Sequence, residues 1–187
     1  MCGGKSTRMG RDKSLLEYHG LPQREYLYRL LSEVCGKVYV SCNEEQFGAV
    51  PASLNPLCDD PKYGDIGPMA GLLTAFQEVP EASFLVVGCD YPFLEKRDLE
   101  ELVSVYSELK VSVVYLNRDT NFIEPLLAVY HNDMRGTLIN NFELSQHSLR
   151  RILEEEDTYK LPHPEPSRLV SVDDMDGYRA VKKERGT

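Results

Sequence analysis

The residues best equipped for chemistry stand at the very start of the chain. Residues 2–13 read Cys-Gly-Gly-Lys-Ser-Thr-Arg-Met-Gly-Arg-Asp-Lys. Gly3, Gly4 and Gly10 let backbone amides turn inward and approach an oxyanion closely. Lys5, Arg8 and Lys13 can then balance the charge of a triphosphate, Arg through a planar fork and Lys as a point charge. The spacing is neither the G-x-x-x-x-G-K-[ST] of a P-loop nor the G-x-G-x-x-G of a dinucleotide fold, so a flexible basic terminus is the competing reading. Ser6 and Thr7 have no His and Asp partners in the sequence, which rejects a hydrolase triad. The second candidate is Asp90. It follows the apolar run Ser83–Gly88 directly, and a carboxylate there can hold a divalent cation against phosphate oxygens. An Asp just ahead of a Pro equally suits a turn or a helix N-cap.

Charge placement narrows the ligand class. The 187 residues include 21 Lys and Arg against 30 Asp and Glu, a net charge of −9. Residues 1–13 nevertheless hold Lys5, Arg8, Arg11 and Lys13 against Asp12 alone, a local +3. A positive loop on an acidic body suits one small anionic ligand and disfavours nucleic acid as a partner. The chain is 42% hydrophobic and 27% charged, which supports a real core and excludes a disordered or low-complexity protein. The longest apolar runs are a handful of residues, far short of the roughly 20 of a membrane span, and no signal peptide is visible. A cytoplasmic location away from membranes is expected. The cysteines at 2, 35, 42, 58 and 89 are odd in number and form no C-x-x-C pair, so they read as reduced thiols. The last four are expected to be buried small hydrophobes. His19, His131, His147 and His163 lack ligand spacing and are expected on the surface or in loops.

These residues need a scaffold to position them. Apolar spacing predicts helices over 23–34, 68–76, 98–109, about 133–142, 148–156 and 174–183. Continuous or β-branched runs predict strands over 37–42, 54–58, 83–88, 111–116, 126–130 and 169–172. Leu161–Arg168, with three prolines, reads as a stiff extended crossing. Alternation of the two kinds predicts an α/β fold in which helices cover both faces of a mostly parallel sheet, with ligands at the carboxyl ends of the strands. The length suits a single domain over residues 1–187.

With its motifs taken together, the chain resembles the nucleotidyltransferases related to molybdenum cofactor guanylyltransferase, the MobA-like family. Its start is similar to the signature L-x-G-G-x-S-x-R-M-G-x-D-K at Gly3, Gly4, Ser6, Arg8, Met9, Gly10, Asp12 and Lys13, with Cys2 where that family usually has Ala. Gly67-Pro68-Met69-Ala70-Gly71 resembles its G-P-L-A-G turn, Cys89-Asp90-Tyr91-Pro92-Phe93 its C-D-x-P-F metal loop, and Glu124–Tyr130 its P-L-x-A-L-Y strand. Four motifs in order span nearly the whole chain. The resemblance implies a three-layer, Rossmann-like nucleotidyltransferase fold. It implies transfer of GMP from GTP to the phosphate of molybdopterin, with Mg²⁺ as cation and pyrophosphate as product. Lys13, Arg8 and Asp90 are then catalytic, and Asp90 the metal ligand. Cys2, Gly3, Gly4, Lys13, Asn43, Asp60, Gly67, Pro68 and Gly71 are the implied nucleotide contacts. Asp60 suits the donor edge of guanine, although Asp59-Asp60-Pro61 is also a common turn. Molybdopterin, and a molybdoenzyme or its chaperone receiving the product, are the implied partners.

Two features depart from the family pattern. The hydrophobic first strand is expected to be missing or truncated before Cys2. The Asn-x-Asn-Thr-Pro-Glu-Asp-Leu segment stands here as Ser171-Val172-Asp173-Asp174-Met175-Asp176-Gly177-Tyr178, where Asp173 is either a second metal or substrate contact or a helix cap. The rival functions are a CTP-dependent cytidylyltransferase acting on molybdopterin or another phosphorylated acceptor, and a nucleotide-binding module without turnover. The glycines at 3 and 4 and the 67–71 turn favour GTP; Lys13 and Asp90 favour catalysis.

Overall fold

The structure, a computed structural model, describes residues 1–3 and 12–185. Gly4, Lys5 and Arg8 lie outside the described residues. Helices and strands alternate: α1 (Gln23–Ser32), β1 (Val40–Cys42), α2 (Glu44–Phe47), β2 (Pro56–Cys58), α3 (Pro68–Glu78), β3 (Phe84–Val87), α4 (Lys96–Leu109), β4 (Ser112–Asn117), β5 (Phe122–Tyr130), α5 (Met134–Glu143), α6 (Leu149–Glu155), β6 (Thr158–Pro162) and α7 (Met175–Arg185). No helix among the described residues is long and apolar enough to cross a membrane.

The described strands form two hydrogen-bonded sheets. β1 and β2 pair in parallel, with Val40 opposite Pro56 and Cys42 opposite Cys58. The larger sheet has the order β3-β5-β4-β6. β5 runs against both β3 and β4, while β6 runs with β4. Three of its four strands therefore point one way, so the sheet is mostly parallel in direction. β5 is reversed because a tight turn joins it to β4. Asn117 Oδ1 accepts from the amides of Asp119 and Thr120 at 3.0 and 3.2 Å, and Asn121 takes the left-handed conformation such turns require.

Helices cover both faces of the larger sheet, giving the three layers. Successive residues of a strand point to opposite faces. Val114, Ala128 and Tyr130 pack with Met69, Leu72, Leu73 and Phe76 of α3 and with Leu138 and Ile152. Val113, Leu127 and Val129 pack on the other side with Leu27 and Leu30 of α1 and Leu99 and Leu102 of α4. Met1 and Cys2 bridge the two sheets. The Met1 amine donates to Val87 O at 2.8 Å, Cys89 N–H to Met1 O at 3.2 Å, and Cys2 N–H to Ser41 O at 2.8 Å. Beside this bridge a groove of about 410 Å³ runs along the β1 and β3 edges, lined by Val38, Leu72, Phe84 and Val86 among others.

Three expectations are corrected. Residues 169–172 form no strand; a 3-10 turn, Pro166–Leu169, stands at its start, and the strand in this region is β6. β6 lies at the sheet edge, where Pro162 deprives no neighbour of a ladder bond. β5 begins at Phe122, not Leu126. Pro125 is tolerated there because the β4–β5 register shifts between Val114 and Leu116. His163 lies in the loop after β6, as expected, and is fully buried there: its Nε2 lies 3.3 Å from Asp98 Oδ1, and Arg168 Nη1 lies 3.2 Å from Asp98 Oδ2. Buried charge must be paired, and this cluster pins the start of α4 to the chain leaving β6. Cys35, Cys58 and Cys89 are half-buried, whereas Cys2 and Cys42 are buried.

Candidate active site

The carboxyl ends of the strands converge on one cleft of about 260 Å³. Cys2 and Gly3 enter from the bridge between the sheets, Gly88, Cys89 and Asp90 from the end of β3, and Gly67 and Pro68 from the start of α3. Lys13 and Asp173 close it from distant parts of the chain. A second hollow of about 270 Å³ shares Gly3, Asp59 and Gly67 with the first and adds Asn43 and Asp60. The two form a continuous cleft.

Asp12, Asn43 and Gln46 position the first loop. Asp12 Oδ1 caps the 3-10 turn Lys13–Leu15 through the Ser14 amide at 2.9 Å, and its Oδ2 accepts from Gln46 Nε2 at 2.9 Å. Gln46 Nε2 also donates to Cys2 O at 3.0 Å. Asn43 and Gln46 form the capping box of α2, and Asn43 Nδ2 donates to Gly3 O at 3.3 Å. The Asn43 amide thus holds the glycine loop as well as facing the second hollow. Gly3 is required by space: a Cβ there would stand 2.9 Å from Asp59 Oδ2.

Asp90 brings a buried carboxylate to the cleft. Its Oδ1 is buried and takes no hydrogen bond from any described residue. Burial pushes its pKa up; a backbone hydrogen bond and the charge of Lys13 pull the other way, and Asp173 opposes them. Gly88 makes room for this carboxylate, since a Cβ at that position would lie 2.5 Å from Asp90 Oδ1. Val172 N–H donates to Asp90 O at 2.8 Å, which sets Asp173 beside it. Asp173 Oδ1 is 2.5 Å from Lys13 Nζ, and the Lys13 side chain is only 16% exposed. A buried carboxylate oxygen in want of a partner, facing a second carboxylate, is a hard-oxygen donor set that fits Mg²⁺. No group of three or more His, Cys, Asp or Glu among the described residues is arranged to hold a metal. A cation held by one or two carboxylates plus substrate phosphates needs none.

Asp59, Tyr91, Glu124 and Cys89, which carry no role of their own in the sequence reading, stand beside Cys2, Asp60 and Gly71, which do. Asp59 lines both hollows; Ser41 Oγ donates to its Oδ1 at 3.0 Å, and burial raises its pKa. Tyr91 donates from its hydroxyl to Glu124 Oε2 at 2.9 Å, and burial raises the Glu124 pKa. Cys89 packs against the cluster that holds Cys2, and its neighbouring thiol holds the Cys2 pKa down at about 7 against the opposing effect of burial. Asp60 turns its carboxylate to the Lys62 amide at 3.0 Å, the main cause of its lowered pKa, and to Gln77. Its side chain therefore does the work of a turn former at the rim of the second hollow. Gly71 lines neither hollow. A Cβ there would lie 2.3 Å from Ser41 Oγ and 2.7 Å from Met1 Cε, so it serves close packing of α3 on the β1 side.

Residues 1–160 match the family model of the MobA-like NTP transferase domain. A molybdenum cofactor guanylyltransferase of Pseudomonas syringae pv. syringae is 30% identical over 158 residues, covering 82% of this chain and 76% of that protein. A molybdenum cofactor biosynthesis bifunctional protein of Synechocystis sp. is 35% identical over 130 residues, 70% of this chain, and the match spans 37% of that longer relative. The crystal structure of molybdopterin-guanine dinucleotide biosynthesis protein A from Archaeoglobus fulgidus superposes with a TM-score of 0.78 over 99% of this chain and 96% of that one. At 19% identity this likeness speaks for the fold. A family model that extends from the bridge residues through the Asp90 loop to β6 leaves one conclusion: the chain belongs to the MobA-like NTP transferase family.

Proposed function

We propose that this chain, acting as one unit in the cytoplasm, transfers GMP from GTP to the phosphate of molybdopterin and releases pyrophosphate. The observation that carries the reading is the convergence of Lys13, Asp90 and Asp173 on a glycine-floored cleft at the strand ends. The acceptor phosphate oxygen attacks the α-phosphorus in line; the new O–P bond forms as the bond to the β-phosphate bridging oxygen breaks. Such a step is accelerated by positioning and by charge placed in advance where charge develops. Lys13, already held at the cleft by Asp173, offsets charge on the α-phosphate and the departing pyrophosphate. Backbone amides of the glycine loop orient the phosphate chain, and Arg8 grips the β- or γ-phosphate. Asp90 and Asp173 are the residues to hold Mg²⁺, which when bound neutralises phosphate charge.

The second hollow takes the base. Asp59 offers acceptor oxygens there, with Asn43 and Asp60 at the rim, and a carboxylate complements the N1–H and exocyclic amine of guanine. Cytosine offers one amine donor beside acceptors at N3 and O2 and cannot give a carboxylate the two adjacent donors of guanine. The product passes to a molybdoenzyme or its chaperone. The test incubates the protein with Mg²⁺, molybdopterin and labelled GTP, CTP or ATP in turn. The expected result is a dinucleotide and pyrophosphate with GTP. Equal or greater product with CTP overturns the base assignment, and no product with any nucleotide leaves a binding module.

A further inference from the structure

Four cysteines stand side by side across neighbouring strands behind the cleft. β1 and β2 pair Cys42 with Cys58. The hydrogen bonds of Met1 and Cys2 to Val87, Cys89 and Ser41 seat Cys2 between Cys42 and Cys89. Each of the four cysteines is followed by a residue of the cleft: Asp59, Asn43, Gly3 and Asp90. Two of the four differ from the rest. Cys89 packs against the buried cluster that holds Cys2, and both line the first hollow, which Cys42 and Cys58 do not. The bonds from Met1 N–H to Val87 O and from Cys89 N–H to Met1 O are those of adjacent parallel strands. Such strands stand about 4.8 Å apart, within the roughly 4.4–6.8 Å that a disulfide spans between Cα atoms.

We propose that Cys2 and Cys89 are a modification site, oxidised by a hydroperoxide to an intramolecular disulfide that closes the nucleotide cleft. The Cys2 sulfur attacks one oxygen of hydrogen peroxide, the O–O bond breaks, and water leaves with a sulfenic acid on Cys2. The Cys89 sulfur then attacks that sulfur. The S–S bond forms, the S–O bond breaks, and the departing hydroxide takes the Cys89 proton as a second water. Two thiols give up two electrons to one peroxide. Drawing the sulfurs from contact to a bond of about 2.05 Å pulls Gly3 toward Asp90, and misplacement on the order of 1 Å at such a site costs about 100-fold.

The thiol half of this inference stands without the functional reading; the closure half rests on it. The experiment treats the protein with equimolar hydrogen peroxide, counts free thiols, and maps peptides by trypsin without reduction. Cys2 falls in peptide 1–5, Cys89 in 63–96, and Cys42 and Cys58 together in 38–62. The expected result is loss of two thiols of five, a cross-link between 1–5 and 63–96, and at least tenfold weaker GTP binding, all restored by a reducing dithiol. Cys89→Ser and Cys2→Ala, each compared with its own reduced form, should show neither the cross-link nor the loss. Five surviving thiols, a link involving 38–62, or oxidised protein that binds GTP as tightly as reduced protein overturns the proposal. Reduced protein that binds no GTP overturns the functional reading and the closure, while the cross-link still decides the site.

Discussion

Replacing Lys13 with Ala separates a catalytic cation from a structural one, because the two roles differ in magnitude here. The partner Asp173 is 47% exposed, so the pair is screened like other surface pairs, worth about 0.2–1 kcal/mol. In a chain of this size 1 kcal/mol moves Tm by about 2–4 °C. Lys13→Ala should therefore lower Tm by no more than about 4 °C. A charge-assisted contact to phosphate is worth about 1.5–3 kcal/mol, or roughly 10- to 150-fold. If that contact tightens as charge moves onto pyrophosphate, the loss falls on kcat and KM for GTP changes little. The assay is steady-state pyrophosphate release across a GTP series, beside a thermal melt of the same preparation. An unchanged kcat with a raised KM would show that Lys13 only grips the ground state. A Tm loss beyond about 10 °C with proportionate inactivation would show that the lysine holds the fold together and refute the reasoning.

Asp90→Asn should cut turnover more than 100-fold in the same assay, because an amide cannot supply the charge that holds the cation. Burial keeps the folded pKa of Asp90 above its unfolded value of about 3.9. Its ionisation therefore costs stability as pH rises through that window, in full above the folded pKa. Melts should place the variant at or above wild-type Tm at pH 7, with the gap closing near pH 3; a lower Tm at pH 7 contradicts this. Gly71→Ala should destabilise by about 1–3 kcal/mol through overpacking against Ser41, seen in urea unfolding, and a stabilised variant would show that α3 is free to shift. Arg8→Ala should mainly raise KM for GTP, while Lys5→Ala and Arg11→Ala change either constant only a few-fold; four similar small effects across the loop would remove the phosphate cradle.

What was legible in the chain was local. The run Ser83–Gly88 reads as a strand because apolar residues stand on both its faces, and it is β3. Pro68 marks a first helical turn, and α3 starts there. Lys13 and Asp90, 77 positions apart, were brought together by motif order, which no periodicity supplies. The remainder depended on distant partners. Asp59 and Asp60 are one position apart, yet the distant Ser41 hydroxyl holds the Asp59 carboxylate at both hollows while the Asp60 carboxylate turns to the Lys62 amide at the rim of one. His163 carries no local sign that Asp98, 65 residues earlier, will bury it. β6 hides because it runs into Pro162, Pro164 and Pro166, which argue against a central strand and permit an edge. Asn43 was legible as polar at a strand end, but its hold on Gly3 appears only once both loops meet.

The division of the strands into two sheets gives the cleft unequal jaws. The β1–β2 pair has three residues to a strand and meets the larger sheet through Met1 and Cys2 beside an open groove. Short, sparsely bonded elements open at lower free energy than a packed core. The amides of Val40–Cys42 should thus exchange with solvent well before those of Val113 and Val129. Asn43, Asp59 and Asp60 ride on the soft jaw, whereas Asp90 extends from the strand that Leu127–Tyr130 clamps in place. Under the proposed assignment of base and phosphates, the base side then breathes on a faster clock than the Asp90 side, and a bound nucleotide should let go base first.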